Sequence, residues 1–189
     1  MKKIPTLFKR EFNGHKIINV LNELTDDELE EALLDGEATV KWDGSCCAVI
    51  NGELYKRYDA KKGKPIPDGA IKCQDDADEI TGHLPCWLKC DRDNPSDKWF
   101  WSAYDATDNI KDGTYEALGK HFNGNPYNLE YDFLKPHGTD VINGLDRTFE
   151  SIKEYLEIHN IEGIVFWLNG EPKCKIKRSD FGFEWNKKH

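Results

Sequence analysis

The sequence predicts an α+β protein built on antiparallel sheets, and three observations carry that expectation. Asn51-Gly52 and Asn169-Gly170 each separate two runs rich in β-branched, aromatic and small residues. An Asn-Gly pair accepts the positive φ of a two-residue type I′ turn, so each marks a hairpin. Extended runs outnumber helical ones, and no internal repeat or linker interrupts the 189 residues. A chain of that length forms one domain with a real core. We therefore expect a single domain over 1–189, with an arm and helix over 1–35, a core over 39–178 and a tail over 179–189.

The first 22 residues read as irregular with short extended pieces. A helix follows: Thr25-Asp26-Asp27-Glu28 fits a capping box, Leu29, Leu33 and Leu34 recur at helical spacing, and Gly36 can close it. This helix leads into Thr39-Val40-Lys41-Trp42-Asp43-Gly44. The first hairpin runs from Ser45 to Ile50 and returns from Glu53 to Tyr58. Its register pairs Ile50 with Glu53 and sets Arg57 opposite Cys46, leaving Lys41 and Asp43 just beyond its open end. The stretch Lys61 to Gly69 is a loop by its Gly and Pro content, read equally as a lysine grip on a polyphosphate or as a solvated turn.

Residues 71–95 are poorly periodic and acidic. Trp99 to Tyr104 reads as a strand, Gly113 to Gly119 as another with Glu116 at its middle, and Leu129 to Leu134 as a third beyond the Asn123-Gly124-Asn125-Pro126-Tyr127 turn cluster. A helix spans Phe149 to Asn160, with Thr148 as N-cap and Ile152, Tyr155 and Leu156 on its buried stripe. The second hairpin joins Ile161–Leu168 to Glu171–Arg178. Two-residue-loop register pairs Lys175 with Ile164 and Lys177 with Glu162, and puts Glu162, Lys175 and Lys177 on one side of the sheet.

Charge and cysteines narrow the class. The net charge of −9 argues against a protein that coats nucleic acid indiscriminately. Lysines and arginines nevertheless cluster at 56–64 and 173–178. Cys46 and Cys47 are neighbours on a strand and point to opposite faces, and the other four cysteines show no framework spacing. Free thiols are the expectation. Cys73, His83, Cys86 and Cys90 lack the paired spacing of a zinc site. No apolar run approaches a membrane span and Met1 to Arg10 does not read as a signal peptide, so a cytoplasmic location is expected.

Lys41-x-Asp43-Gly44 alone arises by chance in roughly a few per cent of chains this long. Singly, Lys41 reads as a surface lysine, Arg57 and Glu116 as strand charges, and Glu162 with Lys177 as a cross-strand ion pair of little energetic value. Together, in order, the set Lys41-Trp42-Asp43-Gly44, Arg57, Glu116, Glu162-Gly163-Ile164-Val165 and Lys175-Ile176-Lys177 resembles the covalent nucleotidyltransferase superfamily of ATP-dependent DNA ligases, RNA ligases and messenger RNA capping guanylyltransferases. The resemblance spans Thr39 to Arg178. It implies a ligase adenylation domain of antiparallel sheets flanked by helices. Too few residues follow Arg178 for an OB-fold domain, which together with Asn125-Pro126-Tyr127, Pro136-His137-Gly138 and Arg178-Ser179-Asp180-Phe181-Gly182 is most similar to the small stand-alone 5′-to-3′ RNA ligases.

That resemblance implies roles. Lys41 would attack the α-phosphorus of ATP and carry AMP, and Arg57, Lys175 and Lys177 would neutralise phosphate charge and favour its neutral amine. Glu116 would hold the ribose, Glu162 would hold Mg²⁺ (Mn²⁺ as a substitute), and Asp43 would orient Lys41 or metal-bound water. Phe133 is the candidate for stacking on adenine. The implied partners are ATP and RNA 5′-phosphate and 3′-hydroxyl ends. The alternatives are a minimal DNA ligase, a guanylyltransferase, or a non-catalytic nucleotide- or RNA-binding module of the same fold.

Overall fold

The computed structural model describes residues 1–79 and 81–185; residues 186–189 of the expected tail lie outside that range. In chain order the elements are β1 (Phe8–Asn13), β2 (Lys16–Leu24), α1 (Glu30–Leu34), β3 (Glu37–Lys41), β4 (Ser45–Ile50), β5 (Glu53–Ala60), β6 (Ile71–Lys72), β7 (Leu84–Lys89), α2 (Lys98–Asp105), β8 (Gly113–Leu118), β9 (Phe133–Pro136), α3 (Phe149–Ile158), β10 (Gly163–Leu168) and β11 (Glu171–Lys177). The paired strands run antiparallel, as the two hairpin signals predict. The chain forms two compact units. One takes Met1–Lys3 and Asp43–His137; the other takes Ile4–Trp42 and the described chain from Gly138 on.

The second of these units holds a three-stranded sheet of order β11-β10-β3 and the β1-β2 hairpin. Ala38, Ile164, Phe166, Cys174 and Ile176 bury one face of the sheet against Leu7, Phe8, Leu33, Ile152 and Leu156. Thr148 caps α3 by accepting from the Ser151 N–H, as its sequence predicts. The capping at α1 differs in detail: Asp26, rather than Thr25, accepts from the Glu28 N–H, a short 3₁₀ turn precedes the helix, and Leu34 is exposed. The expected irregular opening is instead the β1-β2 hairpin. Bulges break its pairing between Phe8 and Arg10 and between Glu11 and Phe12, which blurs the period-2 alternation that would reveal it.

The other unit is a six-stranded sheet of order β6-β7-β5-β4-β8-β9. Cys47, Val49, Leu54, Tyr115, Ala117 and Leu134 bury one face with Ala103 and Phe122. Here two expectations fail. Residues 98–105 are a helix, not a strand. Asn94 accepts from the Ser96 N–H with Pro95 at the start of the preceding 3₁₀ turn, and Phe100, Ala103 and Tyr104 then share the face laid on the core. The strand expected over Leu129 to Leu134 is shorter and later, because pairing starts at Phe133 opposite Leu118. Within the acidic stretch, Leu84–Lys89 forms a strand beside β5.

The second hairpin corrects the predicted register. Leu168 pairs with Glu171, but a bulge lies between the Phe166 and Trp167 pairs. Beyond it Val165 meets Lys175, Ile164 meets Ile176 and Gly163 meets Lys177. The reason is burial: the unbulged register sets Lys175 beside Ile164, on the core face. One extra residue, at Pro172-Lys173, turns Cys174 and Ile176 inward and both lysines outward.

Candidate active site

Each sheet turns its other face away from its core, and the candidate residues lie there. On the three-stranded sheet, Lys41, Gly163 and Lys177 form one cross-strand row, and Thr39, Val165 and Lys175 the next. Lys41, Lys175 and Lys177 therefore share a face. Lys41 belongs to this sheet through β3, not to the first hairpin. Gly163 leaves room between the two outer lysines, and its own backbone is tight: a Cβ there would stand 2.4 Å from the Ile176 carbonyl oxygen.

The Lys41 ammonium is paired with a carboxylate oxygen of Glu162. Lys175 is pinned from both sides. Its backbone pairs with Val165 on one edge, while on the other its N–H donates to Pro5 O at 3.1 Å and its carbonyl accepts from the Leu7 N–H at 2.7 Å. Burial, together with the charges of Lys41 and Lys177, pulls the Lys175 ammonium down to about 8. Asp180, almost fully buried, accepts from the Lys177 N–H at 2.8 Å and from Arg10 at 3.2 Å. The end of β3 is held as well: Trp42 Nε1 donates to Asp140 at 2.6 Å and the Val40 N–H to the Asp140 carbonyl at 2.9 Å.

On the six-stranded sheet the polar face is centred on Glu116. Cys46 stands opposite it on β4 and Lys135 on β9. One carboxylate oxygen accepts from the Gly44 N–H at 3.0 Å and the other meets His137 Nε2 at 2.9 Å. Gly44 is required there: a Cβ would lie 2.2 Å from the Ala117 carbonyl oxygen and 3.0 Å from Glu116 Cγ. The Asp43 carboxylate, buried, accepts from Asn123 Nδ2, and its N–H donates to the Tyr127 hydroxyl at 2.8 Å. Phe133, opposite Leu118, lies on the Glu116 face two residues along β9. Arg57 donates to Asp59 at 2.8 Å and to the Met1 carbonyl at 2.9 Å, and sits over Trp87.

The candidate set thus divides evenly. Lys41, Glu162, Lys175 and Lys177 come together in one unit, and Asp43, Arg57, Glu116 and Phe133 lie in the other. Lys61, Lys62 and Lys64 line a hollow with Asp78 and Glu79, whose charge offsets theirs. The residues that roles assigned from sequence passed over are His137, Asn123, Tyr127, Asp140 and Asp180. Pro136-His137-Gly138, the Asn-Pro-Tyr turn and the 178–182 segment were visible as motifs, but a motif without a partner names no contact.

A face carrying three lysines, with Glu162 paired to one of them, is suited to binding phosphates, which is chemistry of the ligase kind. The chain is similar to RNA ligase 1 of Rattus norvegicus, 23% identical over an alignment covering 94% of this chain and 76% of that protein. It is similar to RNA ligase 1 of Mus musculus at 22% identity over the same shares. No family model matches it. These likenesses support a distant RNA-ligase-like relationship.

Proposed function

We propose that the protein is an ATP-dependent RNA ligase that adenylylates itself on Lys41. The observation that carries this reading is the placement of Lys41 on one sheet face with Lys175 and Lys177, beside Glu162. In the first step Lys41 gives up two protons to solvent as its amine forms a P–N bond to the α-phosphorus of ATP, and pyrophosphate leaves. An RNA 5′-phosphate oxygen then takes the adenylyl group, breaking the P–N bond and returning the amine. A 3′-hydroxyl finally attacks the activated 5′-phosphorus, closing a phosphodiester and releasing AMP. Each step builds negative charge on phosphoryl oxygens, which Lys175 and Lys177 are placed to offset on the Lys41 face.

Glu162 offers the carboxylate that a Mg²⁺ site with substrate phosphates uses, and the ion would supply Lewis-acid charge neutralisation. The RNA substrate rather than a DNA nick is supported by the likeness to RNA ligase 1.

The test is incubation with α-labelled ATP or GTP and Mg²⁺, followed by denaturing electrophoresis. A covalent band with ATP that is absent from Lys41→Ala, with thermal unfolding unchanged in character, is expected. Labelling by GTP alone overturns the nucleotide assignment, and no band in the native chain favours a binding module. End-labelled single-stranded RNA against a nicked DNA duplex separates the two ligase readings.

A further inference from the structure

We infer that Cys46, Glu116 and His137 form a Zn²⁺ site. A sulfur, a carboxylate oxygen and an imidazole nitrogen from these residues lie within 4.8 Å of one another, and they are the grouping of that kind among the described residues. Tetrahedral coordination at about 2.0–2.3 Å sets donors roughly 3.3–3.8 Å apart, so side-chain adjustment of about 1 Å closes the set on an ion. Cys46 and Glu116 are direct cross-strand partners and His137 follows β9 on the same face. Their mutual approach is therefore built into the sheet register.

The supporting contacts match what a metal centre needs. Glu116 can give one oxygen to the ion while the other keeps the Gly44 N–H at 3.0 Å. His137 Nδ1 lies 3.0 Å from Thr114 Oγ1, so with Nδ1–H donating there, Nε2 presents its lone pair to the ion. Of the adjacent cysteine pair, Cys47 fills the apolar face and Cys46 takes the polar one. Binding releases the thiol proton to solvent and forms Zn–S, Zn–O and Zn–N bonds. Thiolate and carboxylate then cancel the ion's charge. Three protein donors leave a fourth position for water, and the thiolate–imidazole pair selects Zn²⁺ over the all-oxygen preference of Mg²⁺.

The test uses the chelator-stripped full chain and Co²⁺ as a spectroscopic probe. One equivalent should give a thiolate-to-cobalt charge-transfer band and the intense visible bands of a four-coordinate site, and Zn²⁺ should bleach both. Cys46→Ser should abolish the charge-transfer band, His137→Gln should weaken binding by at least about tenfold, and Cys73→Ser should leave the spectrum intact. No band in the native chain, or a band that survives Cys46→Ser, overturns the site. Should Cys46→Ser misfold by circular dichroism, Glu116→Gln provides the same decision: binding as tight as in the native chain rejects the assignment.

Discussion

On the three-stranded sheet the polar face gathers Lys41, Lys175 and Lys177, with Glu162 paired to Lys41, whereas on the six-stranded sheet Glu116 meets the Gly44 N–H and His137, and Asp43 meets Asn123. Both sheets obey the same rule, with apolar residues on one side and polar residues on the other. They differ in how the polar side sits with the fold. Like charges held together and partly removed from water cost stability, as the lowered proton affinity of Lys175 shows. Hydrogen-bonded carboxylates contribute to it. A face kept against its own repulsion is the stronger pointer to chemistry, because folding alone gives no reason to retain it.

The sharpest way to break that contrast is at Lys41. Lys41→Ala should lower covalent labelling by ATP by at least about a thousandfold, since it removes the nitrogen proposed to attack. Retained labelling would move the nucleophile elsewhere and remove the chemical meaning of the lysine face. Next in size is Gly44→Ala. Its Cβ would meet the Ala117 carbonyl at 2.2 Å, so urea unfolding should show a loss of roughly 3 kcal/mol. An unchanged midpoint would mean that the tight turn relaxes freely.

Glu116→Ala should destabilise by about 1–3 kcal/mol, because the Gly44 N–H and His137 lose their acceptor. Lys175→Met should act in the opposite direction. With Lys175 near 8 folded and near 10.5 unfolded, the unfolded chain binds the extra proton between those values, so native stability rises with pH across that window. Below about pH 8 the cost of the charged amine is fully present. Lys175→Met should therefore be more stable than the native chain at pH 7, converge with it by about pH 10.5, and label more slowly. Urea unfolding at pH 7, 8, 9 and 10 checks the sign; a variant less stable at pH 7 would show that Lys175 supports the fold.

Much of the site was legible as order along the chain. Lys41, Glu116, Glu162, Lys175 and Lys177 stand out only as an ordered set that resembles a known family, and the two Asn-Gly turns announce their hairpins. What spacing could not show is which strand neighbours which. Chain order puts Lys41 just beyond the open end of the first hairpin, whereas β3, which carries it, pairs with β10. The glycine of Lys-x-Asp-Gly has a specific duty, to let the chain pass hard against Ala117 and donate to Glu116, and that duty involves residues more than seventy positions away. The 98–105 segment shows the reverse failure. Its run of aromatics favours a strand by local propensity, and an Asn-Pro start together with packing on Ala103 made it helical.

By itself, then, the order of residues determined the two hairpins, the capped helix at Phe149–Ile158, the free thiols and the identity of the basic residues, because turns, caps and side-chain alternation act within a few positions. The bulge at Pro172-Lys173, the union of Lys41 with Lys175 and Lys177 on one face, and the meeting of Cys46, Glu116 and His137 were decided only in three dimensions. Those features depend on which faces must be buried together, and burial is a property of the packed chain rather than of any segment.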